Sequence, residues 1–422
     1  MGIYTRMTQP NSSPLFTPVL IAASLILLIG FALRAAFGLF QIPIADEFGW
    51  LRAEFSLAIA IQNLAWGIGQ PLFGAIAEKF SDRKAIVLGV ICYALGLAGT
   101  AYATSAAVMQ WLEVLVGFGI AGLGFGVILA IVGRAASPEN RSMALAIATA
   151  AGSAGQIVGP LLIQQLLDVM SWQDVFLAMT VMVFSALMFL PFLKASPTAS
   201  KAELEEAMST VLWRAAKDPS YAMIFIGFFS CGFQLGFVTA HFPAFITEAC
   251  AAIAPDSIAA SLGIDSTAAL GAAAIAIIGA ANIAGTLAAG VLGKRYSKKY
   301  LLSSVYAARV VISAWFILTP MTVNTVVVFS LVMGALWLAT VPLTSGLVAH
   351  IYGLRYMGTL YGIVFFSHQL GSFMGVWLGG KLYDQFGGYD IVWWVGIAVG
   401  VLSAIIHLPI REAPWQERAV TA

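Results

Sequence analysis

The sequence predicts an all-α integral membrane protein, with twelve transmembrane helices in two bundles of six and both termini in the cytoplasm. Three observations carry that prediction. Of the 422 residues, 60% are hydrophobic and only 10% charged, against about 25% charged in a soluble domain. Apolar runs of about 20 residues, the length that crosses the hydrocarbon core as a helix, recur twelve times along the chain. The basic residues fall almost wholly on alternate connections between those runs.

Breaks at charged residues, Pro, Asn and Asp place the first six spans near 17–43, 55–77, 84–104, 107–133, 142–167 and 173–193. The second six lie near 220–247, 266–292, 300–319, 323–349, 358–380 and 390–410. Residues 1–14 are polar, and the apolar run after them is about 25 residues long, well past the 7–15 of a signal-peptide core. It reads as an uncleaved first span. The stretch 196–219 (SPTASKAELEEAMSTVLWRAAKDP) links a first bundle, 1–195, to a second, 220–422, and contains a candidate short helix lying along the cytoplasmic face. A second polar segment, about 248–265, carries Glu248, Asp256 and Asp265 outside.

With the N-terminus inside, 17 of the 21 Lys and Arg residues fall on cytoplasmic segments, the positive-inside bias. Arg52 and Lys381 fall outside, and Arg34 and Arg309 lie within spans. One missed span would scramble the alternation. The cell inner membrane is the expected location, with the lipid bilayer as surroundings and a monomer as the working unit.

Other classes are disfavoured. A net charge of +1 gives no reason to expect nucleic acid. Cys92, Cys231 and Cys250 are widely spaced, without CxxC or a metal-ligand pattern. No metal, no cofactor and no enzymatic nucleophile–base pair is expected.

The halves echo each other. GAIAEKFSDRK (74–84) follows span two, and GVLGKRYSKK (290–299) follows span eight at the same place in the second half. Parallel repeats of this kind mark transporters that bind substrate between the halves near the midplane. The first copy resembles the loop between spans two and three of the major facilitator superfamily. That resemblance implies the superfamily's fold, a close helix approach at Gly74, and a charge cluster of Glu78, Lys79, Arg83 and Lys84 that latches the halves on the cytoplasmic side; the second copy lacks the acidic residue. GSAGQIVGP in span five (Gly152, Gly155, Gly159, Pro160) is similar to the glycine-rich fifth helix of many superfamily antiporters, and small residues at that spacing are first a packing device.

Within the superfamily, RAAFGLF with FGWLRAEFSLA (34–40, 48–58) and CGFQLGFVTAHFPAF (231–245) resemble bacterial relatives of monocarboxylate transporters. The resemblance implies that Arg34 belongs to a substrate and proton site. That family's second basic residue, in span eight, has no counterpart here, where Asn282 and Thr286 are the notable polar groups.

A charge inside a span costs roughly 2.5–3.5 kcal/mol on insertion scales. Arg34 is too deep to snorkel easily, and a guanidinium grips a carboxylate with two parallel bonds; the alternative is a structural pair with a carboxylate. Glu113 stands in span four where many superfamily members carry arginine. Burial and a nearby arginine tune a carboxyl in opposite directions, as a proton carrier needs; the alternative is a partner for Arg34 or a charge near the outer boundary. His241 shares a face of span seven with Phe237 and Phe245 and is a proton carrier, a carboxylate donor or a packing residue. Gln62, Trp66 and Gln70 form a polar stripe on span two, with Asn63 beside it. Arg309, Trp337 beside Thr340 and Pro342, and His368 followed by Gln369 complete the candidate site; for Arg309 a brace between helices is the other reading.

The resulting expectation is a secondary active transporter of a small organic anion (a monocarboxylate, keto or aromatic acid) moved with protons by alternating access. The rivals are an exporter of drugs or amphiphiles on the same fold, and a substrate sensor that binds without translocating.

Overall fold

The computed structural model describes residues 14–50, 52–167, 169–193, 207–264 and 266–415, and these are helical with no strand. The first-half helices are α1 (Pro18–Ala35), α2 (Arg52–Lys79), α3 (Asp82–Thr100), α4 (Ala106–Gly122 and Phe125–Ala135), α5 (Arg141–Leu167) and α6 (Trp172–Phe184, then a 3-10 turn Ser185–Phe192). The second-half helices are α7 (Pro219–Ala249), α8 (Thr267–Arg295), α9 (Lys298–Leu318), α10 (Val323–Leu336 and Thr340–Tyr352), α11 (Met357–Phe386) and α12 (Asp390–His407). A short helix, Met208–Lys217, precedes α7, within the stretch where the sequence suggested one.

Local sequence sets the helix starts. Thr17, Ser81, Ser105, Ser171, Asp218, Ser266 and Thr322 each accept a main-chain N–H from the first turn of the helix they precede, which satisfies donors that the helix cannot bond internally. Among the described residues, ten helices are long and apolar enough to cross a membrane. The long helices α2 and α11 are not among them. These two carry Gln62, Asn63 and Gln70, and His368 and Gln369, and they face each other across the molecule, so their polar groups point at protein rather than lipid.

Helices α1 to α6 pack together, as do α7 to α12, and the two groups meet mainly along α2 against α11 and α5 against α8. The repeat is visible in the starts: Asp82 to Lys298 and Arg141 to Met357 are both steps of 216 residues. The same step pairs the break in α4 at Leu123–Gly124 with the break in α10 at Trp337–Ala339, to within two residues. Pro342 has no N–H to donate to the carbonyl of Leu338, so α10 breaks just before it and resumes with proline in the first turn.

The first span differs from the expected single run over 17–43. It is an α-helix only to Ala35, then a 3-10 turn, Phe37–Phe40, then a second helix, Gln41–Phe48. Arg34 therefore lies in the last turn of α1, where the helix dipole favours a cation. Glycines of α5 bring α1 in: any Cβ at Gly155 would strike the carbonyl of Leu28, and any at Gly159 that of Ala32.

Candidate substrate site and inner latch

Arg34 is half-buried between α1 and α2. Its Nη2 donates to Asn63 Oδ1 at 2.9 Å, its guanidinium lies 4.8 Å from the centre of the Trp66 ring, and its buried Nε has no hydrogen-bond partner. Among the described residues no carboxylate lies within ion-pair distance of it. Asn63 is held in place by Nδ2, which donates to the Ile59 carbonyl at 2.9 Å. The predicted substrate residues Arg34, Asn63 and Trp66 thus form one group.

Glu113 belongs to the same neighbourhood without touching Arg34. It is fully buried on α4 and accepts from Gln62 Nε2 at 2.7 Å through Oε2; its Oε1 is buried without a partner. Gln62 and Asn63 are consecutive on α2, so one serves the carboxyl and the other the guanidinium. Tyr93 on α3 lies near both charged groups and donates to the Gly30 carbonyl at 3.4 Å. Trp66 Nε1 donates to Gln70 Oε1 at 2.7 Å, and Gln70 Nε2 reaches the Ala121 carbonyl, at the break in α4, at 3.4 Å.

The facing wall comes from α11. Phe365 lies 4.8 Å from Trp66 and stacks on His368 at 5.2 Å. Gln369 donates from Nε2 to the Asn63 carbonyl at 3.2 Å and turns Oε1 to His368 Nδ1 at 3.1 Å. His368 is thereby brought to the back of the Arg34 group through its neighbour.

The other candidates lie elsewhere in the second half. Arg309 is fully buried, and donates from Nε and Nη2 to the Leu336 carbonyl at 3.2 and 2.6 Å, from Nη2 to the Trp337 carbonyl, and from Nη1 to Gln234 at 3.4 Å. These carbonyls are the ones the α10 break leaves without helical partners. Asn282 holds the other side of the break by accepting from Leu338 N at 2.9 Å, and donates to Ser153 on α5 at 2.8 Å. Trp337 contributes its carbonyl there. His241 bonds the Val376 carbonyl through Nε2 at 2.9 Å and packs on Phe237 and Tyr389. The structure does not bring Arg309, Trp337, His241 or Phe237 to Arg34.

On the basic side, the inner side by the charge bias, the halves meet at Gly74 and Gly358: a Cβ on Gly74 would strike the Gly358 carbonyl carbon, and one on Gly358 would stand 3.0 Å from Glu78 Oε1. Glu78, one turn after Gly74 on α2, accepts from Gly358 N at 2.5 Å, from Thr359 N at 3.2 Å and from the Thr359 hydroxyl. It thus caps the start of α11, where a helix presents free N–H groups and positive dipole. Lys79 and Arg83 are exposed, and Arg83 reaches the Pro191 carbonyl of its own half at 3.5 Å. The basic partner near Glu78 is Arg134, which pairs with Asp82 at 2.5 Å. In the second copy Lys294 donates to Asn140, just before α5, at 3.2 Å. A cavity of about 80 Å³ bounded by Leu20, Val132 and Asn140 lies at the inner edge of the first half.

The sequence matches the family model of the Major Facilitator Superfamily over residues 22–375 and 244–420. The chain belongs to the major facilitator superfamily. The chain is 24% identical over 387 residues to the uncharacterized MFS-type transporter YcxA of Bacillus subtilis (strain 168), covering 89% of this chain and 90% of that one. It is 32% identical over 151 residues to the multidrug resistance protein MdtH of Aeromonas hydrophila, covering 34% and 36% of the two chains. The crystal structure of the fucose:proton symporter FucP of E. coli shares the fold, at TM-score 0.69 and 15% identity over 92% of this chain and 97% of that one. A superfamily chain is a transporter rather than an enzyme, acts on small molecules and crosses the membrane many times.

Three residues of the candidate site and latch escaped sequence reasoning as parts of them: Tyr93, Arg134 and Phe365. Phe365 and Gln369 stand at i and i+4, a face of α11 that was legible once α11 was set against α2. Tyr93 and Arg134 gave no signal beyond residue type.

Proposed function

We propose that this transporter carries a small organic anion, a monocarboxylate, keto or aromatic acid, with protons across the cell inner membrane by alternating access. The single observation that carries the reading is Arg34: a half-buried guanidinium whose described partners are a neutral amide and an indole face, with one N–H unspent. Leaving a charge so deep without a counter-charge is costly, and an incoming carboxylate supplies what is missing. Glu113 carries the proton, because its unpartnered oxygen and its neutral Gln62 contact leave the carboxyl free to change charge. Asn63, Gln62 and Trp66 shape the site, and His368 closes it from the second half; Phe237, His241 and Trp337 line the second half farther from the anchor, with Arg309 as the brace of α10. Gly74 and Glu78 form the inner gate, with Arg134 beside them and Lys79 and Arg83 flanking it. The likeness of RAAFGLF and CGFQLGFVTAHFPAF to bacterial monocarboxylate-transporter relatives supports the anion, and the fucose:proton symporter shares the fold.

A second reading, an exporter of drugs or amphiphiles, is favoured by the 32% identity to a protein named for multidrug resistance. A thermal-shift screen separates the two, since a ligand stabilises the state it binds by RT ln(1 + [L]/Kd). Small carboxylates should raise the melting temperature of the native protein and leave Arg34→Gln unmoved. Stabilisation of both proteins by cationic amphiphiles, with no response to carboxylates, would establish the exporter instead.

A further inference from the structure

Gln369 joins polar groups that belong to different halves. It is buried on α11, and both ends of its amide are bonded: Nε2 to the main-chain carbonyl of Asn63 on α2 at 3.2 Å, and Oε1 to His368 Nδ1 at 3.1 Å. The side chain of that same Asn63 is the acceptor of Arg34. The approach depends on residue 67, one turn along α2, being glycine, because a Cβ there would stand 2.7 Å from Gln369 Cβ and 3.3 Å from Phe366 Cδ2. An apolar side chain fills a helix seam without needing partners, whereas a buried amide is costly unless bonded, so a seam that only packs has no use for glutamine here. Beyond His368, whose Nε2 is buried without a hydrogen-bond partner, Cys231 of α7 meets Thr340 at 3.3 Å beside the α10 break.

We infer that Gln369 is the positioning residue through which the Arg34 site holds the two halves in the inner-closed arrangement. Its amide fastens α11 to the α2 residue that carries the acceptor of the guanidinium. When an anion draws Arg34 from Asn63, the movement of α2 reaches α11 through this contact, and the His368 end passes it on towards α10. This role rests on the reading of Arg34 as the anion anchor.

The test reads the distance between the halves without needing the substrate. Spin labels are placed at Phe80 and Tyr296, exposed inner positions of opposite halves, and the distance distribution is recorded for the full-length protein in nanodiscs. Gln369→Leu should raise the inner-open population roughly fivefold, the factor a buried hydrogen bond of ordinary strength is worth, and Gly67→Ala should shift it in the same direction by wedging Gln369 away. Distributions like the parent's in Gln369→Leu overturn the inference. So does a fall in melting temperature with no change in distance, which assigns the residue to packing alone. Should Gln369→Leu not fold, Gly67→Ala decides on the same readout. Arg34→Gln separates the two proposals: benzoate and lactate binding that survives in Arg34→Gln defeats the anchor, whereas an unchanged distance in Gln369→Leu with the anchor intact defeats the role of Gln369 alone.

Discussion

Gln62 donates to the Glu113 carboxyl at 2.7 Å, one residue before the Asn63 that accepts from Arg34 at 2.9 Å. Two consecutive side chains of α2 therefore hold the carboxyl and the guanidinium of this group apart yet in register. An ion pair between Arg34 and Glu113 would have neutralised both. In the proposed mechanism their separation leaves Arg34 open to an anion and Glu113 open to a proton.

Glu113→Gln should uncouple transport from protons. The substitution keeps size and hydrogen bonding to Gln62 while removing the charge change, so exchange of internal for external substrate should continue while accumulation driven by a proton gradient is lost, by about tenfold or more, the usual scale of a site interaction worth 1.4 kcal/mol. Equal accumulation in both proteins would move the proton to another group.

The inner gate should close more tightly as the solution is acidified. Glu78 lies just past the apolar span, and burial pushes its carboxyl from 4.5 up to about 7, against the Thr359 and Gly358 bonds and the charge of Arg134, which pull it down. The closed state holds the proton more tightly than an open, hydrated carboxyl does. Its advantage is therefore complete below about pH 4.5 and is lost as pH rises through about 7. The fraction of inner-closed protein, read from interhalf distances, should rise from pH 8 to pH 5, and Glu78→Gln should flatten the profile. Opening on acidification would contradict the account.

Arg309→Met should cost stability and spare binding. The change strands the Leu336 and Trp337 carbonyls at the α10 break, and unpaired buried acceptors cost about 1–3 kcal/mol each. Thermal unfolding should fall while the stabilisation given by small carboxylates stays. Loss of that response without loss of stability would make Arg309 a ligand contact.

The bundle was legible because bilayer thickness and the positive-inside bias act on every span, so composition and spacing carry the signal many times over. The repeat motif at 74–84 and 290–299 pointed in the same way to the contact between the halves at Gly74 and Glu78. The break after Ala35 was not legible, since RAAFGLF is as apolar as a continuous helix would be and the turn depends on packing against Phe176. Glu78 was found, but its partner was not. A carboxylate facing lysines and arginines in sequence suggests ion pairs, whereas the partner here is a helix start 280 residues away. Arg309 read as Arg34 did, a lone cation in a span, because sequence does not show that its neighbours are broken-helix carbonyls rather than open space.

The most direct test of the central claim is proton-driven uptake into proteoliposomes. Under an imposed inward proton gradient, native protein should accumulate labelled small carboxylates, from lactate to benzoate, and folded Arg34→Gln should accumulate none above protein-free vesicles. Equal accumulation by the two proteins would contradict the assignment of Arg34 as the anion anchor.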